Sequence, residues 1–361
     1  MALNRPRVVV GLGLLAVAAL ALDRVWTPPR SATGRAMERA SYLMAEAERA
    51  VRACRESRGL TFDPDADPNG TGLIGLEASP LTTSLGNPAA KRTTTNPDFA
   101  ALLVLLLRRA GVGSGDAVAV GASSSFPALV VATIAACRAL DSTPLVIFSL
   151  GASQWGQNDP RFDGLDLTAC LVGAGFPEAV PIAVSLGGER DSGSDMAPGG
   201  RASLRRAVAA SGLSLLEESD LARNVAARLA FYESARRGRR LAAFVNIGGN
   251  WANLGEEASV LEVKPGLVRS VPPVRSGRGG VLHAFAGRGV PVIHLLHIAG
   301  ICREFGLPWD PRPLPAPGRG GLEGLARQES RRHSFIALGY ILVTLVVLAV
   351  LGKDPLWKGK A

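Results

Sequence analysis

Aromatic residues are scarce, 5% of 361, and neither a zinc-finger spacing nor an aromatic RNA-binding signature is present. Those absences exclude the classes that stack bases or read grooves through a metal-organised helix, so no nucleic-acid partner is expected. Cysteine is sparser still. Cys54, Cys137, Cys170 and Cys302 stand singly among apolar residues, with no CxxC pair. Such cysteines read as buried free thiols, and neither a disulfide framework nor a zinc site is expected. Cofactor signatures are incomplete as well. Gly11, Gly13 and Ala16 imitate a dinucleotide fingerprint, but no strand precedes them, and no Gly-Lys-Ser/Thr phosphate loop occurs. No metal or cofactor is expected.

What the chain does have is positive charge and apolar content. Lys and Arg number 40 against 31 Asp and Glu, a formal charge of +9, and 47% of residues are hydrophobic. Arginine runs at 234–240 and 327–334 carry much of the excess. They read either as solvated helix faces or as a surface that favours a polyanion.

Both ends are apolar. Arg5 and Arg7 precede an uncharged stretch from Val8 to Leu22, and 335–352 is a second charge-free run. The first reads as a signal peptide or signal anchor, the second as a membrane-spanning helix. The expected organisation is a signal anchor or signal peptide over 1–30, an α/β extracytoplasmic domain over 31–310, and a Pro/Gly/Arg-rich stalk over 311–333. A transmembrane helix over 334–352 and a basic tail over 353–361 follow. Lys353, Lys358 and Lys360 after the second run and Arg327, Arg331 and Arg332 before it pull orientation opposite ways. The basic N-terminus favours a cell-membrane location with the main domain outside.

Between the ends, apolar runs alternate with helical patterns. Strands are predicted over 116–121, 144–151, 179–185, 241–249 and 290–296, and helices over 37–58, 126–140, 201–211, 219–236 and 278–287. Asn96, Pro97, Asp98 and Gly111 carry the start and stop signals of a further helix. The fold class predicted is α/β: a mainly parallel sheet with helices on both faces, flanked by N- and C-terminal membrane helices.

In such sheets ligands gather beyond the carboxyl ends of the strands. The candidates so placed are Ser123, Ser124, Ser125, Ser153, Asn246, Gly248, Gly249, Asn253 and His294. The stretch "VAVGASSSFPAL" half-matches a nucleophile elbow. Gly121 and Ser123 fit G-x-S-x-G, but Ser125 stands where the second glycine belongs. Three readings stay open: Ser124 or Ser125 as an ordinary helix N-cap, a serine-rich helix start that binds a carboxylate, or Ser123 as nucleophile with His294 as base. His297 lies three residues beyond His294, on the opposite face of a strand, which makes the two a poor joint metal site. The polar segment 75–98 reads as a functional loop or lid with Glu77, Lys91 and Arg92 as its ionisable members. Glu189, Asp191 and Asp195 read as a solvated loop in preference to a cation site.

"GLIGLEASPLTTSLGNPAAKRTTTNPDFAALLVLLLRRAGV", "GDAVAVGASSSFPAL", "SLGASQWGQNDP", "AFVNIGGNWANLG" and "GVPVIHLLHIAGICREFGLPWDPRPLP" follow one another in this order. Across roughly 35–320 the chain resembles the poly-γ-glutamate system protein family, accessory membrane proteins of poly-γ-glutamate synthesis and export. The family pattern has glycine where this chain has Ser124. The resemblance implies a pathway and a place, with poly-γ-glutamate or another polycarboxylate and the membrane subunits of the polymer synthase as partners. It carries over no catalytic residue. The alternative is a serine-dependent hydrolase or acyl transferase acting on the polymer.

Overall fold

The computed structural model describes residues 13, 14, 16, 17, 31–322, 325, 339 and 341–346. The chain divides into two units, Met1–Gly34 with Gly324–Ala361, and Arg35–Glu323. The described residues 13, 14, 16, 17, 339 and 341–346 are helical.

The expected membrane helices need correction. Among the described residues no helix is long and apolar enough to cross a membrane. The rest of the expected anchor, spanning segment and tail lies outside the described residues.

In the larger unit, nine strands are described: β1 Thr82–Ser84, β2 Ala117–Ser123, β3 Thr143–Ser149, β4 Ala152–Ser153, β5 Ala183–Ser185, β6 Leu215–Leu216, β7 Leu241–Ile247, β8 Gly266–Val268 and β9 Val292–Leu295. Seven form one sheet in the order β6-β5-β3-β2-β7-β9-β8, and β1 pairs with β4 in a small parallel sheet. The large sheet is mixed: β8 runs antiparallel to β9, and the other pairings are parallel. The fold is therefore α/β with a mixed sheet; the flanking membrane helices that the sequence suggested are not shown among the described residues.

Every residue of β2 is buried, because successive side chains point to opposite faces and helices cover both. On one face Ala117, Ala119, Leu145, Ile147, Phe244 and Val292 pack with Leu221, Val225 and Tyr232 of the helix Leu221–Ala235. Val281, Leu282 and Phe285 of the helix Val281–Gly287 complete that layer. Tyr232, Phe244 and Phe285 form an aromatic knot with ring centroids 4.9–6.3 Å apart, and the Tyr232 hydroxyl donates to Val120 O at 3.0 Å. The helices Asp98–Ala110 and Pro127–Ala139 pack together; Asp98–Ala110 also touches β7, β8 and β9, and Pro127–Ala139 touches β2 and β3.

The cysteine expectation is overturned for one pair. Cys54, near the end of the helix Ala32–Ser57, is disulfide-bonded to Cys170 of the helix Gly164–Gly173, while Cys137 and Cys302 are buried thiols. The expected stalk also differs at its start. Asp98 accepts hydrogen bonds from Gly318 N at 2.7 Å, Gly320 N at 2.5 Å and Ser41 Oγ at 2.7 Å, and Leu322 is buried. A buried carboxylate that needs donors thus holds 311–322 against the body.

Candidate functional site

The chain runs outward from β2 through β3, β5 and β6, then returns to β7 on the other side of β2. That reversal opens a crevice at the carboxyl edge of β2, the place where open α/β sheets bind ligands. A cleft of about 670 Å³ lies there. Its polar lining includes Lys91, Ser123, Ser125, Ser153, Ser149 and Asn250, and its apolar lining Phe126, Leu296, Ile298, Trp251, Leu85 and Trp309. Leu85 is 85% exposed and Trp309 43% exposed, so the lips are apolar as well.

Segment 75–98 is a wall of this cleft, not a loose lid. It contains β1, and Asn87 starts the helix Pro88–Thr93 by accepting from Ala90 N at 3.1 Å, with Pro88 in the first turn. Ala90, Lys91, Arg92 and Thr93 of this helix are all buried. Lys91 is 3% exposed, donates to Ser153 Oγ at 2.8 Å and to the Ser125 carbonyl, and lies 3.7 Å from the Phe126 ring centroid. No carboxylate pairs with it among the described residues, and burial lowers its pKa to about 7. Arg92 turns away and binds Asp310 at 2.7 and 2.8 Å.

Ser153 ends β4 and opens a turn closed by Gly156 N to Ser153 O at 3.0 Å. Trp155 in that turn has φ 61°, a left-handed conformation that is strained for so bulky a residue. The turn is pressed from segment 75–98. A Cβ on Gly75 would stand 1.7 Å from Gly156 O, and one on Gly86 2.2 Å from Gln154 O. Only glycine permits such backbone approach.

The predicted residues divide sharply. Ser123, Ser125, Ser153, Lys91 and Gly249 line the cleft together, as does His297. Ser123 Oγ donates to Ser125 Oγ at 3.0 Å, and Ser125 Oγ also accepts from Ser153 N at 3.0 Å. Neither Ser124 nor Ser125 caps the helix Pro127–Ala139: Phe126 occupies the cap position with no side-chain bond, and Ser124 Oγ is buried without a partner. Gly248, at φ 76°, stands behind Ser123. Asn253 is buried against Gly121, and Glu77 is exposed away from the cleft. Asn246 and His294 sit below it on adjacent strands, joined by a 3.0 Å bond between Asn246 Nδ2 and His294 Nδ1. No hydrogen bond joins His294 to Ser123 among the described residues, so the paired nucleophile and base of the sequence reading are not formed.

Burial lowers the His294 pKa to about 4. An unfolded histidine binds its proton near 6.5, so between these values the unfolded chain holds more protons and stability falls as pH falls. The loss is at most about 3 kcal/mol by pH 4. His294→Gln is expected to flatten this part of the curve, measured as urea midpoints at pH 7, 5.5 and 4.5; an unchanged slope would mean the imidazole stays solvated.

Sequence reasoning missed the floor behind the cleft. Asp191 is fully buried, not part of a solvated loop; its Oδ2 lies 2.5 Å from Arg228 Nη2, and both side chains are 0% exposed. Arg228 also donates to Ser185 Oγ at 3.0 Å and Asn224 Oδ1 at 2.9 Å, while Asn250 Nδ2 donates to Asp191 Oδ1 at 3.2 Å and Ser149 Oγ at 2.8 Å. Ser123, Ser149 and Ser185 stand in register across β2, β3 and β5. A signal was present: Leu221, Val225, Arg228 and Tyr232 share one helical stripe, and a charge on an apolar stripe demands a buried partner.

No family model, no curated protein and no solved structure matches this chain. The geometry of the cleft therefore carries the functional reading.

Proposed function

We propose that the protein is an accessory component of a poly-γ-glutamate synthesis or export system and holds the polycarboxylate in the cleft at the carboxyl edge of the sheet. The observation that carries this reading is the mixed lining of that cleft. Hydroxyls, amides and an amine line it together with Leu85, Phe126, Ile298 and Trp309. A γ-linked glutamate chain is mixed in the same way, with amides and carboxylates separated by methylene pairs. Apolar burial of the methylenes and hydrogen bonding of the amides are then satisfied together. The motif resemblance and the +9 charge favour the same partner. The Cys54–Cys170 bond suits an oxidising compartment outside the cytoplasm, where the membrane subunits of the synthase would be met.

Calorimetry of the purified full-length protein with poly-γ-glutamate tests this. Binding is expected in about 20 mM salt and is expected to weaken at least about tenfold in 0.5 M salt as screening shortens. Poly-α-glutamate, with the same charge and no backbone methylenes, is expected to bind less well. Trp309→Ala is expected to reduce affinity for the γ-linked chain about tenfold and to narrow that difference. No binding at low salt, or equal binding of both polymers with Trp309→Ala silent, would remove the proposal.

A further inference from the structure

We propose that Ser153 is the nucleophile of a serine–lysine acyl-transfer site, that Lys91 is its base, and that the substrate is an amide or ester carbonyl of the chain held in the cleft. The substrate class rests on the reading above; the nucleophile and base rest on geometry alone. Ser153 Oγ lies 2.8 Å from Lys91 Nζ and faces the cleft, while the amine is held from behind by the Ser125 carbonyl and the Phe126 ring. A carbonyl can only accept, so one N–H stays committed to Ser125 and the amine is oriented towards the hydroxyl, which either donates or accepts. No carboxylate neutralises the amine, and desolvation favours its uncharged form near neutral pH. The strained turn at Trp155 and the close approach of Gly75 and Gly86 fix Ser153 from the opposite side. Beside it, the uncapped first turn of the helix Pro127–Ala139 presents the positive end of its dipole to a developing oxyanion.

The step balances with water as the only co-reactant. Ser153 Oγ attacks the carbonyl carbon as its proton passes to neutral Lys91. The carbon–nitrogen or carbon–oxygen bond of the substrate breaks, and the leaving amine or alcohol takes the proton from the Lys91 ammonium. Water then attacks the Ser153 ester and gives a proton to Lys91. The ester bond breaks, the carboxylic acid departs, and Ser153 recovers its proton from Lys91.

A fluorophosphonate probe, which forms an adduct with activated serines and loses fluoride, tests the nucleophile in the intact protein. One adduct per chain is expected, on Ser153 by peptide mass, with a rate that rises through about pH 7 to a plateau as Lys91 loses its proton. Glu189, Asp195 and His297 are the other ionisable groups lining the cleft. Lys91→Met is expected to slow labelling about 100-fold or more, and Lys91→Arg, always protonated, is expected not to restore it. Unfolding midpoints establish that each variant is folded. No adduct on Ser153 of folded wild type, or equal labelling of Lys91→Met, overturns the site. Incubation with poly-γ-glutamate reads the substrate: chain shortening that Ser153→Ala abolishes supports it, and unchanged chain length with a protein that binds the polymer and labels at Ser153 overturns that assignment. Polymer binding is read separately by calorimetry, so failure of the two readings is distinguishable.

Discussion

Replacing Arg228 by Met is expected to destabilise the protein by about 3–5 kcal/mol, the range for breaking a buried ion pair from one side. The cost arises less from the attraction lost than from what remains. Asp191, fully buried, would be left with only Asn224, Asn250 and Ser185 as partners. Asp191→Asn should cost a comparable amount by stranding the guanidinium. The double variant Arg228→Met/Asp191→Asn should recover much of the loss, because neither charge is then left in the core. Urea midpoints and slopes of the four proteins give the coupling directly. Additive single effects would mean that the pair is not closed in solution. The cleft should register the change too, since Asn250 and Ser149, which line it, are held by the same network.

Removal of the Cys54–Cys170 bond is the second large effect. The bond ties residues 116 positions apart. On the chain-entropy account a loop of that length stabilises by up to about 5 kcal/mol, mainly by restricting the unfolded state. Arg58 and Asp166 bridge the same two segments at 2.5 Å, but that pair is partly exposed and is worth little by comparison. Chemical denaturation of the oxidised protein, the reduced protein and Cys170→Ser is expected to place the latter two together and well below the first. Coincident midpoints for all three would show that the bond does not form.

Much of this architecture was legible because it is written in local patterns. The strand expected at 116–121, apolar from Ala117 onward, told that helices cover it twice, and Gly111 marked the end of the helix Asp98–Ala110 by a left-handed cap at φ 90°. Three-residue β8 and two-residue β6 were not legible, since so few residues carry no period. Nor was the partner of Cys54: spacing of 116 residues leaves no local trace. For the site, position was readable and pairing was not. Strand ends singled out Ser123, Ser125 and Ser153, yet the base was sought at His294, which proves to be occupied with Asn246 below the cleft. Lys91 was one of several ionisable residues in a polar segment; that its amine would be enclosed depends on β1 pairing with β4, a contact between distant segments. The Asn87-Pro88 start marked only where the short helix begins.

The approach of Gly75 and Gly86 to the 153–156 turn carries one more consequence. Positions that contribute no functional group hold the serine in place by bare proximity of main chain to main chain. Tolerance to mutation around this cleft would then follow steric clearance rather than chemical role: a single added methyl at either position displaces the turn, whereas neighbouring Leu85, largely in solvent, can vary in size at little structural cost.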